Sequence, residues 1–547
     1  MYTKHLFMKT LDTRIFFYFL FVLLVCKGVD GYAQRSAVID WESAYGGSSA
    51  EWPANIVPAH GGGYMIAGVS SSFDGIVTDN HGGFEDGWLL WIENNGFYRW
   101  ARCYGGKSWD AFTCIRQLDT AYIVSGYTFS TDGDITLNHG QSDAWVLKLS
   151  KTGDIIWQKT YGGKRVDKAN SIIQTNDGGY IYCGTTNSTD GDVTGTHDTL
   201  QGDIWVVKLD DTGKIEWQRC LGGSWDEIGY NIIQTKDSNY IIAGETGSKD
   251  GDVTSNKGFD DVWIIKLDRK GNILWQKTMG GSGTDYCKSI IQTSDGGYIA
   301  GATTSSADGD VAFLHGPYNE DFWVLKLDDT GKIEWQKSYG GWQNEEISTV
   351  IEANGGGYLI NGKTQSADGD VRGYHKSPYG PNYGSDEWLL KIDYDGNIMW
   401  QKSMGGSNME NGTGLLQIDD STYVTIGSTG SNNGDVTGFR GSTDYWPVQI
   451  HESAAADTAV GVPAINENSI QVYPSVTKGS VHISLSENSV GAIVRLIDLN
   501  GHEIAAPVSG TKAERILTIP QGIAAGMLIV QVYKDNSVVN KRIVYTP

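Results

Sequence analysis

The chain has 547 residues, with 72 glycines, only 11 prolines, 19 tryptophans and 28 tyrosines, and it carries a net charge of −23. That length exceeds one compact core, and the mix of glycine and aromatics suits a β-protein with many tight turns. The excess acid argues against nucleic acid and anionic membrane surfaces as partners, and is compatible with divalent cations, basic proteins or neutral glycans.

The N-terminus reads as a signal peptide over residues 1–33. Lys4, Lys9 and Arg14 form a basic region, Ile15 to Val25 an apolar run, and Gly31 and Ala33 take the small-residue places before Gln34. The run is too short to span a bilayer comfortably, so cleavage after Ala33 is expected, with no transmembrane segment in the mature chain. Cys26 follows the run, but Val25 stands where a lipidation motif has a small residue. The mature chain keeps Cys103, Cys114, Cys183, Cys220 and Cys287. An exported chain can form disulfides, and an odd number leaves at least one thiol free. Cys103 and Cys114 flank one loop between neighbouring strands and are the expected pair. No CxxC occurs, which disfavours structural zinc of that type and c-type haem.

Residues 34–451 are built from a repeat. One tryptophan column is Trp88, Trp145, Trp205, Trp263, Trp323, Trp388 and Trp446; the other is Trp41, Trp100, Trp157, Trp217, Trp275, Trp335 and Trp400. Members of the first stand 57, 60, 58, 60, 65 and 58 residues apart. Within a unit, "SIIQT" (171–175), "YIYCGTT" (180–186), "DIWVVKLD" (203–210) and "KIEWQR" (214–219) are four strand-like runs, here A to D. Asp- and Gly-rich turns separate A from B and C from D. No helical period appears beyond the signal peptide. Seven units of four antiparallel strands predict an all-β, seven-bladed β-propeller. The chain enters with a lone D strand and leaves after a C strand, so Ala37–Gly47 is expected to pair with Asp444–His451 and close the ring, removing open edges.

The phrase "KLDDTGKIEW" resembles the tryptophan-docking repeats of quinoprotein-type propellers, with Asp210, Thr212, Gly213 and Trp217 at the matching positions. The resemblance implies fold alone. The turn is one residue shorter than the family's usual form, seven units depart from eight, and no quinone or haem signature is present.

The A–B and C–D turns should share one face, and the longer B–C and D–A connections the other. Each D–A connection has "GG" and then an acid: Glu51, Asp110, Asp167, Glu227, Asp285, Glu345 and Glu410. The B–C connections carry "SxDGDV", giving Asp132 and Asp134, Asp190 and Asp192, Asp250 and Asp252, Asp308 and Asp310, and Asp368 and Asp370. One reading is a calcium face, since calcium takes several hard oxygens. The other is repeated turn construction, with Asp accepting backbone N–H bonds; no other cofactor is expected. Symmetry breaks in the longest B–C loops. Those of blades five and six bring Phe313, His315 and Tyr318, and Tyr374, His375, Tyr379 and Tyr383, which could bind a sugar or protein partner or pack the loops onto the propeller. No HExxH or GxSxG motif supports catalysis. Carboxylate pairs abound, leaving an extracellular carbohydrate-active hydrolase as an alternative to a binding or purely structural protein.

Residues 452–469 read as a linker and 470–547 as a small β-domain. Val472-Tyr473-Pro474, Asp498-Leu499-Asn500-Gly501, Gly526 with "MLIVQV", and Lys541-Arg542-Ile543-Val544 give this tail its character. It resembles the type A C-terminal sorting domain of the type IX secretion system of Bacteroidota-type bacteria, although "YPSV" replaces the usual "YPNP". The resemblance implies that Tyr473, Pro474, Asp498, Gly501, Gly526 and Lys541 belong to a β-sandwich address label. Its partner would be the secretion machinery, and the propeller would be released or attached at the outer surface.

Overall fold

The computed structural model describes residues 36–453 except 199, 318, 379 and 381–382. In the tail it describes 470–473, 476–477, 479–485, 493–497, 503–510, 514–521, 523, 526–534 and 537–545. The expected signal peptide, most of the linker, Tyr318, Tyr379, Pro474, Asp498 and Gly501 lie outside these residues. Among the described residues no helix is long and apolar enough to cross a membrane. The chain forms two compact units, Met1–Ala456 and Asp457–Pro547.

The first unit holds seven four-stranded sheets, numbered here in the chain order of their A strands. Sheet 3 runs Asp167–Gln174, Tyr180–Thr186, Asp203–Leu209 and Ile215–Leu221, each strand antiparallel to the next. Every residue of Asp203–Leu209 is buried. A strand covered on both sides has no polar face to alternate, which is why the C strands read as continuous apolar runs. Trp205 packs with Ile123, Val146 and Tyr161 of sheet 2 as well as Ile172 and Tyr180 of its own sheet. Its indole Nε1 donates to Gln218 Oε1 at 2.9 Å, the reason for the recurrent "WQ". Burying one such indole contributes about 4–6 kcal/mol as an upper bound.

The second tryptophan column joins neighbours. Gly213 adopts φ +78° in the C–D turn of sheet 3, and a Cβ there would come within 3.1 Å of the Trp157 ring of sheet 2. Glycine therefore meets two demands, the left-handed backbone and the indole's approach. Tyr161 Oη adds a bond to Gly213 O at 2.5 Å.

Ser36–Glu42 pairs antiparallel with Asp444–Ser453, joining the start of the unit to sheet 7. Glu42 takes the place of the recurrent glutamine, accepting from Trp446 Nε1 at 2.9 Å. Trp41 meets Gly96 of sheet 1 as Trp157 meets Gly213. Sheet 7 also packs on Glu51–Pro58, the A strand of sheet 1. The pairing includes Glu452 and Ser453, two residues that the sequence reading gave to the linker; Lys391 forms an ion pair with Glu452.

The expected Cys103–Cys114 disulfide is absent. Both thiols are free and buried, as are Cys183, Cys220 and Cys287. Cys103 packs with Trp88 and Tyr445, while Cys114 packs with Ile172 and Trp205, so the loop between them divides two separate apolar layers.

In the second unit, Ile470–Tyr473, Ser480–Leu485, Glu514–Thr518 and Val508–Gly510 form one sheet. Val476–Thr477, Ser537–Tyr545, Gly526–Lys534, Ile493–Ile497 and Glu503–Ile504 form another. Val481, Ile483 and Leu517 of the first share a cluster with Leu496, Val530 and Ile543 of the second. Tyr473 ends an edge strand, while Gly526 and Lys541 pair with Tyr545 and Val530 in the long hairpin.

Candidate functional site: the loop face

The repeated acids of the D–A connections are fastened inside the face. All seven are fully buried. In sheet 4, Glu227 accepts from Gly223 N at 2.9 Å and from Thr246 Oγ1 at 2.7 Å. A side chain on the preceding Gly222 would collide with Glu227 Oε2 at 2.3 Å and approach Asp203 Oδ1 at 2.9 Å, so the "GG" makes room for two carboxyl groups. Asp203 Oδ1 has no hydrogen-bond partner, nor do the equivalent atoms of Asp143, Asp261, Asp321, Asp386 and Asp444. Burial pushes these junction acids upward, Asp110 and Asp261 to about 6 and Glu345 and Asp444 to about 7.

The ten aspartates considered for calcium are bound into the same construction, one pair per loop. The first of each pair accepts a backbone N–H from the preceding D–A segment: Asp132 from Lys107, Asp190 from Lys164, Asp250 from Ser224, Asp308 from Ser282 and Asp368 from Trp342. The second accepts from the first glycine of "GG": Asp134 from Gly105, Asp192 from Gly162, Asp252 from Gly222, Asp310 from Gly280 and Asp370 from Gly340. Among the described residues, no group of three His, Cys, Asp or Glu side chains could hold a metal ion.

The histidines also belong to the repeat, which the sequence reading missed. His81, His139, His197, His315 and His375 place Nδ1 on Asp86, Asp143, Asp203, Asp321 and Asp386 at 2.5–2.9 Å. Their distances in sequence to these aspartates vary from 4 to 11 residues, which hid the common role. His197 Nε2 reaches Asp252 of the next sheet at 3.4 Å, and His315 Nε2 reaches Asp370 at 3.3 Å. Bonds from Asp321 and Asp370 hold the His315 imidazolium up to about 10. His315 and His375 are thus clasps between sheets. Tyr374 packs against the core of sheet 6 and donates to Gly384 O at 3.0 Å. Phe313 and Tyr383 remain on the surface, 58% and 67% exposed.

Two unrepeated features stand out. On the A and B strands of sheets 4–6, Tyr230 Oη donates to Glu245 at 3.1 Å, and Lys363 and Lys288 both bind Glu346, the former at 2.6 Å. Burial, then the charge of Asp260, raises Glu245 to about 7. Lys288 and Lys363 overcome burial and hold Glu346 down to about 2. Asp260 also lines a cleft of 650 Å³, with Ser224, Trp225, Asp226, Gly247, Lys249, Asp250, Gly258 and Phe259. The sequence signal for this cleft was present but diluted: Trp225 occupies a position filled by Ser49, Ser108, Arg165, Gly283, Gln343 and Asn408 elsewhere.

No protein-family model matches the chain. A regulatory protein, FlaEY of Caulobacter vibrioides, is 24% identical over 194 residues, 34% of this chain and 20% of that protein; the chain thus spans about a fifth of the relative's length. Among solved structures, the Neurospora crassa Pan2 WD40 domain is similar with a TM-score of 0.42 and 9% identity, covering 77% of this chain and 96% of that one. The PQQ-bound aldose sugar dehydrogenase of Streptomyces coelicolor gives 0.34 and 9%, covering 77% and 99%. The repeated four-stranded sheets of the first unit are those of a β-propeller repeat protein.

Proposed function

We propose that this chain is an exported, seven-bladed β-propeller that binds an extracellular glycan or protein through its loop face. Residues 1–33 act as a signal peptide cleaved after Ala33. The tail, 470–547, is a β-sandwich that hands the propeller to type IX secretion machinery, leaving it secreted or attached at the outer surface. The supporting observation is the uneven loop face. Its buried acids and glycines recur in each sheet, yet its loops differ in length and Phe84, Trp225, Phe259, Phe313, Trp342 and Tyr383 are each 58–75% exposed. Large aromatic side chains held at the surface on a rigid frame suit recognition.

The test is a glycan array with full-length protein, in calcium and in EDTA, beside a pull-down from surface proteins. A hit lost in EDTA would bring calcium into the face through the Asp250–Asp252 type of loop. Silence on the array would remove the glycan half of the proposal.

A second reading, a carbohydrate-active hydrolase, is favoured by Glu245 and Glu346, whose carboxyl groups titrate far apart at about 7 and about 2. Lys288 links the two, ion-paired to Glu346 and acting on Glu245 by its charge, and a protonated acid near a held carboxylate is the pairing such a reaction uses. Release of reducing sugar, lost in Glu245→Gln, is the outcome that would support it.

A further inference from the structure

We propose that the cleft between Trp225 and Phe259 in sheet 4 is a binding subsite for a neutral pyranose; this rests on the glycan reading of the loop face.

The walls are two aromatic side chains that are 60% and 75% exposed. Their backbones are fixed. Trp225 N donates to Ser248 Oγ at 2.9 Å, and Phe259 N donates to Gly283 O at 3.2 Å. The backbone that carries each ring is therefore held by the repeat's own bonds, and a sugar's C–H face can stack on either ring. Phe84 and Trp109 differ in that their rings meet each other, tilted, with centroids 5.0 Å apart.

Gly247 leaves room in the cleft. At the end of the B strand five other sheets carry Ser71, Phe129, Asn187, Ser305 and Gln365, whereas sheets 4 and 7 have Gly247 and Gly430. A Cβ on Gly247 would stand 3.2 Å from Asp260 Oδ1 and 3.3 Å from Trp225 Cβ, inside the cleft. Larger side chains at this position are tolerated by the scaffold, as sheets 2, 3 and 6 demonstrate.

The polar lining selects the ligand's charge. Asp226, Asp250 and Asp260 face one lysine, Lys249. Asp226 is anchored by Gly202 N at 2.7 Å. Carboxylates accept from sugar hydroxyls and repel a uronic acid, a sialic acid or a sulfate ester. A volume of 650 Å³ falls within the usual range for a small-ligand site.

The test compares Trp225→Ala, Gly247→Phe and Tyr383→Ala in the full-length chain, with neutral oligosaccharides on an array and by calorimetry. Gly247→Phe installs the residue of sheet 2, and a melting temperature equal to that of the parent confirms that it folds. The expected result is a tenfold or greater loss of affinity for neutral pyranosides in Trp225→Ala and Gly247→Phe, none in Tyr383→Ala, and no binding of acidic sugars by any form. Glycan binding that persists unchanged in Trp225→Ala and Gly247→Phe would overturn the subsite while leaving the loop-face reading intact. Absence of any glycan binding by the parent would overturn the subsite together with the glycan half of the loop-face reading.

Discussion

Sheets 3 and 4 are neighbours with the same framework and different surfaces. Each has a buried acid accepting from the second glycine of "GG", Asp167 from Gly163 and Glu227 from Gly223. Each has a buried C-strand tryptophan bonded to glutamine, Trp205 with Gln218 and Trp263 with Gln276. At the loop ends, Arg165, Thr185, Asn187 and Gln201 of sheet 3 correspond to Trp225, Glu245, Gly247 and Phe259 of sheet 4. The comparison teaches that the frame tolerates wide variation at these four positions: Thr185 and Asn187 donate to the backbone oxygens of Glu227 and Leu200, while Glu245 accepts from Tyr230 and Gly247 has no side chain, yet the buried acids and tryptophans keep the same bonds in both sheets. Stability and recognition are therefore separable along a single repeat.

The largest effect should come from breaking the frame where the first and last strands meet. Removal of residues 36–42 takes away the partner of Asp444–Ser453 and the acceptor of Trp446 Nε1. An exposed edge and an unpaired buried donor together should abolish the cooperative monomeric melt and produce oligomers, read by size-exclusion chromatography. Two tryptophans sharpen the contrast next. Trp205 is fully buried and Trp225 is 60% exposed. Trp205→Ala should cost about 3–5 kcal/mol in denaturant melts, and Trp225→Ala within about 0.5 kcal/mol. Glu227→Ala leaves Gly223 N without its acceptor and should cost about 1–3 kcal/mol. Glu227→Gln keeps the shape and an acceptor and should cost less.

A smaller effect is expected from pH. The junction acids titrate above their unfolded values, so the folded state carries a burden of buried charge above about 7, relieved as pH falls toward their unfolded values near 4. His315 has the same sign. Its bonds to Asp321 and Asp370 contribute fully below its unfolded value of about 6.5 and are lost as pH rises toward about 10. The melting temperature should rise as pH falls from 9 to 5. A flat or reversed profile would show that the carboxyl groups at the junctions are relieved in another way.

Much of the frame was legible because it is local and periodic. Strand lengths, turn glycines and the two tryptophan columns recur within about sixty residues, and a period-two, turn-bounded pattern specifies antiparallel sheets. The lone D strand at the start gave the partner of the last C strand by register alone. The candidate site was less legible. His315 and His375 looked like additions to long loops, yet they bind the same aspartate position as His81, His139 and His197. Their loops differ in length, so a shared role has no shared spacing.

By itself the sequence determined the repeat, its strand order, and the faces on which short and long connections fall. Tertiary structure decided which polar groups face each other. Cys103 and Cys114 are near in sequence and lie in different apolar layers. Glu245, Lys288, Glu346 and Lys363 are far apart in sequence and meet on the A and B strands of sheets 4–6. Backbone hydrogen bonding within a sheet is set by neighbours along the chain. Contacts between sheets are set by how twisted sheets stack, and that geometry is written in no short stretch of residues.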